Sequence, residues 1–428
     1  LKVVIVTYYW PPAGGPGVQR WLKFVKYLRN FGIEPVVFTA DNPYYPTIDA
    51  SLAEDVPEGI EIIKCPIFEP NNIVAKLKKS EAQKSAGFLD PNPSFFAKVL
   101  LYIRANYFIP DARMFWVKPS VKKLKKYISE ENIDLVITTG PPHSLHLIGK
   151  KLKEQLGVKW LADFRDPWTS IDYFHLLPLT KSARKKHFRM EEEVVRSADS
   201  VLMVSNHAQE KYKEFAKEIN VITNGFDTEV SLEDEEITID TKFSITHIGS
   251  MNSERNPKIL WETLSELCKE DAVFAEDLEL KLIGKLDDTI WNEEIAPRNF
   301  KNVARIPYVP HTAAKKYQRQ AQVLLIVVND YPSAKEMIPG KTFECLQAQR
   351  PILAFAPEDG DLSAILEETT AGVAIDFSNK EKVREEILKL YAEYKKGSLQ
   401  VNIRNLDTYH RKNLTEKLSI IIKDLIQK

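Results

Sequence analysis

The amino-acid sequence predicts an α/β chain of two doubly wound domains, each a parallel sheet with helices on both faces. Three observations carry that prediction. Short apolar runs alternate with segments of helical period along most of the chain, the pattern of repeated βαβ units. The runs fall into two series, the first ending near residue 204 and the second beginning near 243. Between them lie the turn Asn224-Gly225-Phe226-Asp227 and the acidic, apolar-poor stretch 231–236, which place a linker near 226–240. A length of 428 residues also suits two cores better than one.

The first series supplies strands at Val3–Val6, Pro35–Phe38, Ile60–Ile63, Leu135–Thr138, Lys159–Ala162 and Val201–Val204. The second supplies Phe243–Ile248, Leu278–Ile283, Val303–Ile306, Val323–Val328, Ile352–Ala356 and Val373–Ile375. Each run is short, apolar and bounded by turn-forming or helical sequence, as a strand buried on both faces should be. Residues 68–130 break the alternation with a lysine-rich stretch, then SFFAKVLLYIRANYFIP, then KKLKK. Two or three inserted helices are expected there. Residues 407–428 carry a long amphipathic helical pattern.

Composition narrows the function. A formal net charge of −1 disfavours nucleic acid as the main partner. The three cysteines, Cys65, Cys268 and Cys345, lack metal-ligand spacing and point to a reducing compartment. The opening LKVVIVTYYW reads as a strand running into a proline-glycine turn, not a targeting segment. No apolar run approaches the ~20 residues that span a bilayer. The expectation is a cytoplasmic protein, soluble or peripheral at the inner face of the cell membrane.

Five segments carry candidate chemistry. In EMIPGKTFE, Glu336 and Glu344 flank Pro339-Gly340-Lys341-Thr342, between an apolar strand and a helix start. Free N–H groups at that helix start suit a phosphate, and an acid one turn in suits a ribose diol. The alternative is two solvated acids beside a helix start. Gly14, Gly15 and Gly17 follow the first strand, either as a ligand-facing loop at a strand end or as a tight turn. His143, with His146 three residues on, follows the strand at 135–138, either as a site residue or only as a helix-start residue. Asp163, Arg165 and Asp166 crowd the next strand end, either bracing the loop or facing a substrate. Gly249, Arg255 and Lys258 follow the first strand of the second half, and Lys285 follows the next.

The Glu-x7-Glu element, in this place, resembles the signature of the retaining glycosyltransferases of family 4, of GT-B fold. Asp163-Phe164-Arg165-Asp166-Pro167-Trp168 is similar to a bacterial subgroup of that family. The resemblance covers nearly the whole chain, with its strongest points at 11–20, 138–146, 163–168, 224–227, 247–258 and 336–344. It implies two Rossmann-like domains facing a central cleft, with acceptor-binding residues 1–228 and nucleotide-sugar-binding residues 240–406. It also implies that the helix 407–428 packs back on the first domain.

For the site, the resemblance implies catalytic roles for His143, Glu336 and Asp166. Donor binding would fall to Gly15, Gly17, Gly249, Arg255, Lys258, Lys285, Lys341, Thr342 and Glu344. Ser250 stands where the family usually has an arginine, so the diphosphate ligands depart from the usual set. The implied activity is that of a metal-independent hexosyltransferase without a cofactor, moving sugar from a nucleotide-diphosphate sugar with retention. The implied acceptor is a saccharide or lipid-linked hydroxyl in cell-surface polysaccharide or glycolipid synthesis. A nucleotide-sugar epimerase or hydrolase on the same architecture, or a non-catalytic nucleotide-sugar-binding subunit, are the alternatives. The apolar residues of 94–108, with the bases at 122–126 and 181–189, read either as a weak membrane contact or as a core-facing helix with a solvated charged side.

Overall fold

The structure is a computed structural model that describes residues 1–69, 94–171, 173–227 and 237–428. The chain forms two compact units. Residues 70–93 of the predicted insertion and most of the linker near 226–240 lie outside the described residues.

The first unit comprises Leu1–Thr223 and Arg411–Lys428. Its strands are β1 (Lys2–Val6), β2 (Glu34–Ala40), β3 (Glu61–Cys65), β4 (Leu135–Gly140), β5 (Lys159–Phe164), β6 (Ser200–Met203) and β7 (Ile219–Val221). They lie side by side in the order β3-β2-β1-β4-β5-β6-β7, and every pairing is parallel. Alternate side chains of β1 feed opposite faces. Val4 and Val6 join a core with Phe38, Trp116 and Trp160, while Val3 and Ile5 join one with Trp21, Leu22 and Leu161. The period of two along a strand makes this division.

The helix Arg411–Gln427 belongs to this second face. Leu414, Leu418, Ile422 and Leu425 recur at helical spacing, all buried, and the helix packs on Pro16–Leu28. The expected start at 407 is corrected by four residues, because Leu406–Tyr409 form a 3-10 turn of the other unit. The expected domain end at 228 is corrected as well. Asn224–Asp227 fall with the second unit, where Phe226 donates its N–H to Tyr409 O at 3.1 Å and is buried with Phe343 and Tyr409.

The second unit, Asn224–His410, carries β8 (Phe243–Ile248), β9 (Leu278–Ile283), β10 (Val303–Ile306), β11 (Val323–Val327), β12 (Ile352–Phe355) and β13 (Gly372–Ile375). Their order is β10-β9-β8-β11-β12-β13, again all parallel. In each sheet the order reverses beside the first strand, between β1 and β4 and between β8 and β11. Loops leaving the carboxyl ends of such strand pairs border a crevice where open α/β sheets hold ligands.

Candidate active site

In the second unit the loops after β8, β9 and β11 meet at the reversal point. The loop after β8 is tied to that after β9 by Gly249 N to Ile283 O at 2.8 Å and Met251 N to Lys285 O at 2.9 Å. The contact demands two glycines. Gly249 has φ +127, Gly284 has φ +116, and a Cβ on Gly284 would stand 2.5 Å from Gly249 O, closer than any side chain tolerates. Toward β11, Asp330 N donates to Glu254 O at 3.0 Å and Arg255 Nε donates to Asn329 Oδ1 at 2.5 Å. Sequence reasoning places Asn329 at the start of a loop, 329–335, that could choose the sugar; its contact with Arg255 was not legible there.

The helix Lys341–Gln347 starts beside this loop system. Lys341 Nζ donates to Ile248 O at 3.0 Å and stands 3.5 Å from where a Cβ on Gly249 would lie. Burial, reinforced by nearby Arg255, pushes the ammonium down to about 8. Thr342 is fully buried, and its Oγ1 has no hydrogen-bond partner among the described residues. Glu344 occupies the first turn and meets His311 Nε2 at 3.0 Å. Burial raises the Glu344 carboxyl, but the His311 hydrogen bond, the charges of His311 and Lys315 and a contact with Gln318 outweigh it, leaving the pKa below its ordinary value. His311, Lys315 and Gln318 lie at i, i+4 and i+7 of the helix His311–Gln320, so one stripe meets the acid. The sequence hint for that stripe was the Pro310-His311 pair at a helix start.

Glu336 closes the 3-10 turn Pro332–Glu336 and is half-buried. Lys285 contributes its carbonyl to the β8–β9 tie. Lys258 is largely exposed and reaches Glu294 at 3.4 Å.

In the first unit the loops after β1, β4 and β5 come together. Residues 12–14 are pinned to 47–49 by Gly14 N to Thr47 O and Asp49 N to Pro12 O, both 2.9 Å. Gly15 has φ +89 with open space where a Cβ would be. Gly17 is different: a Cβ there would stand 2.9 Å from Arg165 Nη1, which donates to Gly17 O at 2.8 Å. The chain's own guanidinium thus occupies the side-chain space at Gly17.

The charge cluster of 163–166 separates into different roles. Asp163 is fully buried. It accepts from Arg20 Nε and Nη2 at 3.1 Å, Trp21 Nε1 at 2.6 Å and Thr139 Oγ1 at 2.8 Å. A buried carboxylate with this many donors ties the helix Pro16–Leu28 to β4 and β5. Asp166 is half-buried and pairs with Arg165 at 3.3 Å.

His143 immediately precedes the helix Ser144–Leu156, yet it does not cap it. Asp111 takes that task, accepting from Ser144 N and Ser144 Oγ at 2.9 Å. His143 instead lies flat against Trp168, with ring centres 4.9 Å apart. Trp168 Nε1 donates to His187 Nδ1 at 3.0 Å, which fixes that nitrogen as an acceptor. His146 stacks on Phe164 and meets Thr138 Oγ1 at 2.9 Å. The other ring nitrogens, His143 Nδ1 and His146 Nε2, both crowd the bare Cα of Gly140, 2.8 and 2.6 Å from a Cβ built there. Burial keeps all three imidazoles neutral, His146 down to about 3, His187 down to about 4 and His143 well below the usual value. Sequence reasoning noted Trp168 only as the end of the 163–168 motif and missed His187, since the fold alone joins them to His143.

Among the described residues no group of three or more His, Cys, Asp or Glu is placed to hold a metal ion, and no helix is long and apolar enough to cross a membrane.

Two Rossmann-like parallel units, each with glycine-bearing loops at its reversal point, define the GT-B class of glycosyltransferase fold. Residues 82–230, less than half of the chain, match the family model Glycosyltransferase Family 4. Similar solved structures span essentially full lengths. Sucrose-phosphate synthase from Thermosynechococcus elongatus aligns at TM-score 0.59 and 14% identity, over 100% of this chain and 99% of its own. Anabaena HepE, in complex with UDP, aligns at TM-score 0.60 and 12% identity, over 99% and 100%. A point mutant of S. aureus TarM, in complex with fondaparinux, alpha-GlcNAc-glycerol and UDP, aligns at TM-score 0.57 and 14% identity, over 100% of each chain. No curated protein matches the sequence.

Proposed function

We propose that this protein transfers a sugar from a nucleotide-diphosphate donor to an acceptor hydroxyl with retention of configuration, in polysaccharide or glycolipid synthesis. The observation that carries the reading is Lys341. Its ammonium is held against Gly249 and the Ile248 carbonyl, forms no ion pair among the described residues, and stands beside a loop that cannot carry side chains at Gly249 and Gly284. A desolvated cation against a bare backbone suits a diphosphate, whose developing charge it would stabilise as the sugar leaves. Arg255, oriented by Asn329, would add a second cation, and Glu344, oriented by His311, would accept from the ribose hydroxyls.

The first unit would hold the acceptor, a saccharide or lipid-linked hydroxyl, with peripheral contact to a lipid surface. His143 would hydrogen-bond the transferring sugar, Glu336 would lie near it, and Asp166 would face the acceptor. Gly15, open at its Cα, is the glycine-loop position that supports close approach to a ligand. Retention without a metal is the family's implied route, in which the departing phosphate helps deprotonate the acceptor hydroxyl.

Two solved neighbours hold UDP, so UDP is the first nucleotide to titrate, followed by GDP and ADP. Calorimetry without added metal should show binding of one nucleotide, lost in Glu344→Ala. Absence of binding by all three would sink the donor-site assignment. Product analysis with and without acceptor then separates a transferase from an epimerase, which turns over donor alone.

A further inference from the structure

The helix Phe95–Tyr107 presents an apolar surface to the outside of the first unit. Ala97, Leu101, Ala105 and Phe108 form its inner stripe, with Ala105 buried and the others half-buried. Asn106 fastens the helix, donating to Pro178 O at 2.8 Å and accepting from Thr180 N at 2.7 Å. Opposite lies a wide apolar arc. Phe96, Leu100, Ile103 and Tyr107 recur at i, i+4, i+7 and i+11, and Phe95, Val99 and Tyr102 form the adjoining row. Phe95, Phe96 and Tyr107 are 75%, 76% and 70% exposed. The core-facing reading of this segment is thereby corrected, because its largest apolar side chains point away from the core.

Charge on the helix follows the same geometry. Its only charged residues are Lys98 and Arg104, and at 100° per residue they fall on the two borders of the apolar arc. The helix Lys181–Ser197, to which Asn106 anchors, begins with exposed Lys181, Lys185, Lys186 and Arg189 around exposed Phe188. No Asp or Glu occurs from 94 to 110 or from 173 to 190. Exposed aromatic and aliphatic side chains bordered by these cations fit a surface that is apolar inside and anionic at its edge. A two-fold pair of copies through this face would set the same cations against one another, which like-charge repulsion opposes.

We propose that this arc docks on a bilayer bearing anionic phospholipids. The helix would lie in the interfacial plane with Phe95, Phe96, Leu100 and Tyr107 at the headgroup–acyl boundary. Lys98, Arg104 and the 181–189 bases would meet phosphates. The inference deepens the lipid-linked acceptor reading and rests on it only for its biological purpose.

The test is cosedimentation of the full chain with phosphatidylcholine vesicles, with and without phosphatidylglycerol, at low and high salt. Binding to the anionic vesicles is expected, weakened by salt and by omission of phosphatidylglycerol. Phe96→Asp/Leu100→Asp and Lys185→Glu/Lys186→Glu should each weaken it by about tenfold or more. Both pairs are surface changes, and unchanged circular dichroism would establish that they fold. Failure of wild type to bind anionic vesicles, or wild-type binding by the Phe96/Leu100 variant, overturns the proposal. So does a dimer in sedimentation analysis that this variant dissociates, since the face would then belong to a second copy. Nucleotide titration of the same samples keeps the readings apart: nucleotide binding without vesicle binding sinks the docking alone, and the reverse sinks the donor site alone.

Discussion

Trp168 lies flat on His143, with 6° between the ring planes, and its indole N–H is held by His187. The stack sets the face that His143 can offer. His143→Ala should lower turnover with little loss of nucleotide affinity, because the nucleotide contacts proposed above, Lys341, Arg255 and Glu344, belong to the other unit. Trp168→Phe keeps a ring on the imidazole and should retain more turnover than Trp168→Ala. The alanine change should also cost about 3–5 kcal/mol of stability, as large buried aromatics do. Steady-state kinetics beside denaturant melts separate the two effects, and wild-type turnover in His143→Ala would remove that residue from the mechanism.

Glu344→Ala should weaken nucleotide binding by about 1.5–3 kcal/mol, the value of a hydrogen bond to a charged group. His311→Ala should produce a smaller loss, since it orients the carboxylate without replacing it. Calorimetric titration of the nucleotide against both variants checks the ranking. Equal binding by Glu344→Ala and wild type would contradict the ribose assignment.

The role proposed for Lys341 predicts a nucleotide affinity that depends on pH. With its pKa near 8, the ammonium loses charge as pH rises past that value, and affinity for a diphosphate should fall. Lys341→Met should bind weakly at every pH and lack that inflection. Stability of the nucleotide-free protein runs the other way. The ordinary value is 10.5, so between about 8 and 10.5 the unfolded chain binds more protons, and this group's contribution improves as pH rises. Melting temperatures across that range, for wild type and Lys341→Met, test both signs.

The buried imidazoles predict acid sensitivity. His146 and His187 titrate near 3 and 4 when folded, against an ordinary 6.5. Below about pH 6.5 the unfolded state takes up protons that the folded state refuses, so stability falls as pH drops, by up to about 1.4 kcal/mol per unit for each group. His146→Gln should flatten the decline. A melting temperature indifferent to pH between 6.5 and 5 would refute the neutral assignment.

Gly284→Ala should damage the second unit selectively. The new Cβ would meet Gly249 O at 2.5 Å in a backbone of positive φ, a strain of about 1–3 kcal/mol or more. Loss of nucleotide binding with His143 and Trp168 left undisturbed is the expected pattern, read by calorimetry and by chemical shifts of the first unit.

All twelve strands read from apolar runs are strands in the structure, because runs such as Val323–Val328 are buried on both sheet faces and carry their signal locally. The short strand Ile219–Val221 was not legible, since three half-buried residues at a sheet edge leave little pattern. Local sequence also determined which strand ends bear glycines, cations and acids. It could not determine what those residues touch. Asp163 and Asp166 stand three apart, yet one is a buried tie to Arg20 and the other a half-buried neighbour of Arg165. Gly15 and Gly17 stand two apart, yet only Gly17 is filled by a side chain from β5's loop. Phe96 and Leu100 have the spacing of a core helix and face outward. Partners such as His311 for Glu344 or Trp168 for His143 are fixed by packing between segments distant in the chain, and tertiary contact alone decides them.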